Sequence, residues 1–157
     1  MKSWMSVALW LVLFSCDSDR VYERQVDFKD KFWGSDTAPK FEFEIADHTR
    51  NYNIYCTVRN SLEFPFSRIF VTYYLKDSLN NQLQSELVST YLFDQKTGKP
   101  NGSSGLGDLF DHRISLLRDY HFERPGAYSL SLEQFNRKDT LQGILAVGVR
   151  VEVVNPK

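Results

Sequence analysis

The sequence predicts an all-β chain, an antiparallel β-sandwich of jelly-roll or immunoglobulin-like type with seven to eight strands. Three observations carry that expectation. Aromatic residues make up 15 % of the chain, with twelve Phe and eight Tyr, and rings suit a pleated, half-buried surface. Apolar and polar residues alternate with a period of two in segment after segment. Turn residues separate those segments, and no convincing amphipathic helical pattern interrupts them.

Residues 1–15 read as an export signal: Lys2 supplies the positive start, the run from Trp4 to Phe14 the apolar centre, and Ser15 a small residue at the cut. That run is about half of the ~20 residues a spanning helix needs. Asp17, Asp19 and Arg20 follow it, which argues against a transmembrane helix. Leu13-Phe14-Ser15-Cys16 resembles a bacterial lipobox, making Cys16 the expected lipid attachment site. Buried acyl chains contribute ~0.8 kcal/mol per methylene, so a multiply acylated Cys16 is a stable tether. Residues 16–30 are then the lipidated cysteine with a tether or a first edge strand, and residues 31–157 a single sandwich domain.

Residues 29–39, with Gly34, Asp36 and Pro39, read as a turn or loop. Phe41, Phe43 and Ile45 alternate with Glu42, Glu44 and Ala46, giving a half-buried strand. After a turn at 47–51, Tyr52, Ile54, Cys56 and Val58 alternate with Asn53, Tyr55, Thr57 and Arg59. Phe64-Pro65-Phe66 breaks the pattern, because proline cannot donate to a ladder. Residues 68–76 are apolar on both faces, as suits the centre of a sheet. A turn at 78–81 leads to a strand at 83–93. Residues 94–108, holding Gly98, Gly102, Gly105 and Gly107, form the one long loop. Strands at 113–122 and 127–135 flank Pro125-Gly126. The last strand, 144–154, sets Val147, Val149, Val151 and Val153 against Gly148, Arg150 and Glu152.

Several function classes are disfavoured. A formal net charge of −1 with no Lys/Arg cluster gives no footprint for nucleic acid. Cys16 and Cys56 are the two cysteines; with Cys16 acylated there is no disulfide framework, and Cys56 reads as a small buried hydrophobe. The sequence holds no nucleophile elbow, Walker loop, dinucleotide fingerprint or His-Glu-x-x-His motif, so no catalytic residue and no cofactor is assigned. Asp108, Asp111 and His112 are a weak metal candidate whose spacing matches no defined calcium site and reads better as a solvated loop end. Glu42 and Glu44 share a strand face like a glycosidase pair, though facing alternate Phe they read as solvent-side residues. Trp33, Phe64, Phe66 and Tyr91 are either core or the platform of a sugar site.

The order of features resembles the gliding-motility lipoprotein GldH family of Bacteroidetes over nearly the whole chain. The resemblance rests on Cys16-Asp-Ser-Asp-Arg-Val-Tyr-Glu, Trp33, Phe41-x-Phe-x-Ile-x-Asp47, Tyr52-Asn-Ile-x-x-x-Val-Arg-Asn60 and Phe64-Pro-Phe-Ser67. It continues through Gly98 to Gly107-Asp108, Gly126-x-Tyr128-x-x-x-x-Glu-Gln134, Leu141-x-Gly-Ile and Val147-Gly-Val-Arg-Val-Glu152. It implies an envelope protein needed for movement over surfaces, linked to type IX secretion, with Cys16 the only position whose role carries over. Asp36-Thr-Ala38, Asp77-Ser-Leu79 and Asp139-Thr-Leu141 also match the Asp-Ser/Thr-apolar O-glycosylation motif of these bacteria, which points to Thr37, Ser78 and Thr140. The expected function is a membrane-tethered, non-enzymatic interaction module facing the periplasm. Its expected partners are the membrane, through the lipid, and other envelope proteins of a motility or secretion apparatus. The alternative is a carbohydrate-binding sandwich lipoprotein, and a glycan-active enzyme using Glu42 and Glu44 is a third class.

Overall fold

The computed structural model describes residues 18–155; the signal segment and Cys16 lie outside them. These residues form eleven strands: β1 (Arg20–Asp27), β2 (Phe32–Gly34), β3 (Lys40–Ile45), β4 (Asn51–Ser61), β5 (Arg68–Asp77) and β6 (Gln82–Tyr91), followed by β7 (Ser103–Ser104), β8 (Leu109–His121), β9 (Gly126–Gln134), β10 (Thr140–Gln142) and β11 (Ile144–Val153). Among the described residues no helix is long and apolar enough to cross a membrane.

Two antiparallel sheets form the sandwich, ordered β1-β11-β4-β8-β7 and β3-β9-β5-β6. Successive long strands switch sheets except at the β5–β6 hairpin, which is the jelly-roll order and not the immunoglobulin one. The alternation seen in the sequence sets the two faces. Phe41, Phe43 and Ile45 of β3 are buried while Lys40, Glu42 and Glu44 are exposed. In β4, Tyr52, Ile54, Cys56 and Val58 point into the same core. Burying each such side chain stabilises by about 1.5–3 kcal/mol. β11 lies between β1 and β4 and is buried on nearly every residue.

Both ends of the sandwich are closed by rings. At one end Phe122 packs on Tyr128 (4.5 Å), Tyr120 (4.9 Å) and Tyr52 (5.6 Å). At the other, β2 pairs with β10 so that Trp33 faces Leu141, and the Trp33 indole donates to the Thr37 carbonyl at 2.8 Å. Three short strands depart from the sequence expectation: β2 and β7 lie within segments expected to be loop, and β10 in a stretch with no element assigned. β8 begins at Leu109, four residues before the expected strand, because residues 109–112 pair with residues 58–61 of β4. The stretch 21–28, left between tether and edge strand, supplies all but the first residue of β1 (Arg20–Asp27), on the edge of the larger sheet.

Candidate interaction surfaces

The outer face of the five-stranded sheet is charged but internally neutralised. Arg150 meets Glu23 at 2.7 Å and is also paired with Glu152, which in turn accepts from Arg113 at 3.3 Å. Arg59 grips Asp111 with two hydrogen bonds, Nε to Oδ1 at 2.7 Å and Nη2 to Oδ2 at 3.1 Å. Donating to the Asp111 carboxylate raises the Arg59 pKa further. Arg113 also lies over the Tyr55 ring at 5.4 Å. Glu23, Arg24, Arg59, Asp111 and Arg113 line a shallow recess of about 590 Å³. Glu23, Arg59, Asp111 and Arg113 are each held in ion pairs, so most of the charge lining the recess is neutralised locally.

The structure separates the candidate metal residues. Asp111 and His112 are consecutive in β8, so they leave the strand on opposite faces. Asp111 turns out to Arg59, while His112 turns in and its Nε2 lies 2.8 Å from the Asn60 Oδ1. Burial holds the His112 pKa below its usual value, with Asp111 a smaller opposing influence. Asp108 stays in the exposed loop. Among the described residues no group of three or more His, Cys, Asp or Glu side chains is placed to hold a metal. Glu42 and Glu44 stand on the exposed side of β3, with Glu42 paired to Lys40 at 2.9 Å. A recess of about 400 Å³ beside β3 includes Glu42 and not Glu44, so the two carboxylates do not converge on a common cleft. Thr37, Ser78 and Thr140 are all exposed. Cys16 lies outside the described residues.

The four aromatics singled out in the sequence divide. Trp33 and Phe64 are core. Phe66 and Tyr91 reach the surface, where the outer face of the smaller sheet carries a hollow of about 340 Å³ lined by Phe66, Phe70, Leu87 and Phe135 with Arg68 and Asn136. Arg68 lies over Phe70 at 4.9 Å and Tyr91 at 5.0 Å and donates to the Ser89 hydroxyl at 2.6 Å. Lys138 stands 6.0 Å from the Phe66 ring. The Asn136 Oδ1 accepts from the Phe70 amide at 2.9 Å, so Asn136 fixes the end of β9 against β5. Phe70 and Phe135 were missed in the sequence because both fell inside apolar strand runs. Their exposure follows from sheet order, which no local pattern encodes.

Comparison with known proteins places these features in context. Residues 20–151 match the model of a family described as GldH lipoprotein. A relative in Christiangramia forsetii described as "Gliding motility lipoprotein GldH homolog" is 30 % identical, covering 97 % of this chain and 98 % of its own. The Flavobacterium johnsoniae "Gliding motility lipoprotein GldH" is 24 % identical and covers 90 % of each chain. Among solved structures, the infectious bursal disease virus VP2 subviral particle aligns at a TM-score of 0.43 with 14 % identity, covering 88 % of this chain and 33 % of that one. That likeness is too loose to carry an argument.

Proposed function

The chain belongs to the GldH lipoprotein family, and from that premise we propose that it is a lipid-anchored, non-enzymatic interaction module of a motility or type IX secretion-linked assembly. The family match over residues 20–151 is the observation that carries this reading. Cys16, four residues ahead of β1, is the proposed attachment site, with the sandwich facing the periplasm. Confinement to a surface raises the local concentration of the sandwich near other envelope proteins, so weak contacts suffice for assembly. The surface chemistry supports binding over catalysis: the carboxylates are paired or dispersed, and an apolar hollow lies open. Thr37, Ser78 and Thr140 are proposed glycan positions on loops and edges clear of the core.

The test is crosslinking and affinity purification of the full-length protein from membranes, with Cys16→Ala as control. Envelope proteins recovered with the wild type and lost with Cys16→Ala are the expected result. Recovery of glycan and no protein would overturn the module and favour the carbohydrate-binding reading, for which the Phe66–Phe70–Phe135 hollow is the surface on offer.

A further inference from the structure

The two sheets present four edges, and three of them are guarded. β1 (RVYERQVD) carries charges of both signs along its length, β3 (KFEFEI) sets Lys40, Glu42 and Glu44 on its outer side, and β7 is two residues long, beyond which the edge is β8 with its charged Arg113, Arg118 and Asp119. Charged residues and brevity are the usual protections against edge-to-edge pairing. β6 (QLQSELVSTY) has neither: it runs ten residues with Glu86 as its one charge and no proline. Glu86 lies on the inner side, where it hydrogen-bonds Tyr73. Among the described residues no strand pairs with the far side of β6.

The free side of β6 can be read from its neighbours. The Phe70 carbonyl accepts from Phe135, on the β9 side of β5, whereas the Ser67 carbonyl accepts from Leu92, on the β6 side. Odd-numbered residues of β5 therefore bond towards β6, and the register opposes Val71 to Val88 and Tyr73 to Glu86. In β6 the even-numbered residues face β5, leaving the amides and carbonyls of Ser85, Leu87 and Ser89 directed outwards. The Tyr91 carbonyl is taken by the Asn101 side chain at 3.1 Å, which ends the open stretch.

We infer that this edge pairs with β6 of a second copy, antiparallel and centred on Leu87, joining two four-stranded sheets into one continuous sheet. The sequence of the strand is complementary to itself in that register. Leu87 meets Leu87 of the other copy, Ser85 meets Ser89, and Leu83 meets Tyr91, all on the outer side. On the inner side Gln84 meets Thr90 and Glu86 meets Val88, so no like charges oppose each other. The outward groups of three residues per copy form about six backbone hydrogen bonds. The symmetry is the isologous two-fold of most homodimers. Leu87, 46 % exposed in the single chain, becomes the central contact.

The register makes the test specific. In full-length protein in native envelopes, Leu87→Cys is expected to form a disulfide-linked dimer under mild oxidation, since opposed residues of a ladder stand within disulfide reach. Ser85→Cys alone should not, because its own copy lies about 13 Å away along the strand. Ser85→Cys/Ser89→Cys together should crosslink, roughly tenfold or more faster than either single variant, as expected for held rather than colliding thiols. Adding Leu87→Lys to that double variant should abolish the band. Cys56 is buried and gives no background. Equal crosslinking of Ser85→Cys and Leu87→Cys, or adducts with a protein of another mass only, would overturn the self-pairing. Repeating the set in Cys16→Ala protein separates a failure to pair from a failure to anchor.

Discussion

Cys56 lies in β4 with its side chain wholly inside the sandwich, and burial pushes its thiol up to about 12 from 9.0. The thiolate is the reactive form, so the native protein should be silent to a thiol reagent and react only on unfolding. The same burial gives stability a pH dependence of known sign. The unfolded chain releases the thiol proton near its ordinary value, while the folded chain holds it to about 12. The contribution is therefore complete below pH 9 or so and is lost as pH rises through that window. Cys56→Ala should delay the alkaline decline to the range where buried Tyr52, Tyr73 and Tyr128, each raised chiefly by desolvation, begin to titrate. Urea midpoints measured between about pH 8 and pH 11 check this, and identical decline in wild type and variant would refute it. Arg59 and Asp111 behave differently, because the pair is more than a third exposed. Exposed pairs contribute at most ~1 kcal/mol, so this one keeps a face neutral more than it holds the fold.

The passage from β10 into β11 turns on Gly143, at φ +78. A Cβ there would stand 2.3 Å from the Phe64 amide nitrogen and 2.7 Å from the Glu63 carbonyl carbon. Gly107 has a similar φ of +71 with nothing within 4 Å. Gly107→Ala should thus cost about 1–2 kcal/mol of backbone strain, and Gly143→Ala more than ~3 kcal/mol, since the clash adds to it. Urea denaturation of both variants checks the ordering; equal losses would mean that the Phe64 segment yields freely. This closure of the sandwich was hidden in the sequence. Seven of the eight long strands were legible, most by alternation as in Phe41-Glu-Phe-Glu-Ile45 and β5 by its apolar run, while β1 was left open between tether and edge strand. β2, β7 and β10 span two or three residues, too few to show a period, so Trp33 opposite Leu141 could not be foreseen. The candidate sites fared likewise. Asp111 and His112 look like a ligand cluster in a loop and fall apart once residues 109–112 belong to β8. The bare side of β6 depends on which strand ends the sheet, and that is decided by topology rather than by local sequence.

The proposed anchor and the inferred dimer together constrain how the whole molecule stands. Antiparallel pairing of identical strands places the two-fold axis normal to the sheet, so one copy is turned end for end relative to the other. From Cys16 to Arg20 the chain spans at most about 14 Å, while the eleven residues of β4 run about 36 Å. With strands upright, the second copy's anchor would be held far beyond the reach of its tether. Both acylated Cys16 residues meet one bilayer only if the axis stands normal to the membrane and the strands lie in its plane. Two exposed leucines report on this: Leu79, 79 % exposed in the β5–β6 turn at the end where β1 begins, and Leu106, 93 % exposed in the loop before β8 at the other end. A donor dye on Leu79→Cys or Leu106→Cys, in full-length acylated protein reconstituted into vesicles with acceptor-labelled headgroups, should give similar energy transfer from both positions. Strong transfer from Leu79→Cys with little from Leu106→Cys would mean that the sandwich stands singly on its anchored end, and pairing within one membrane would then be ruled out by the length of the tether.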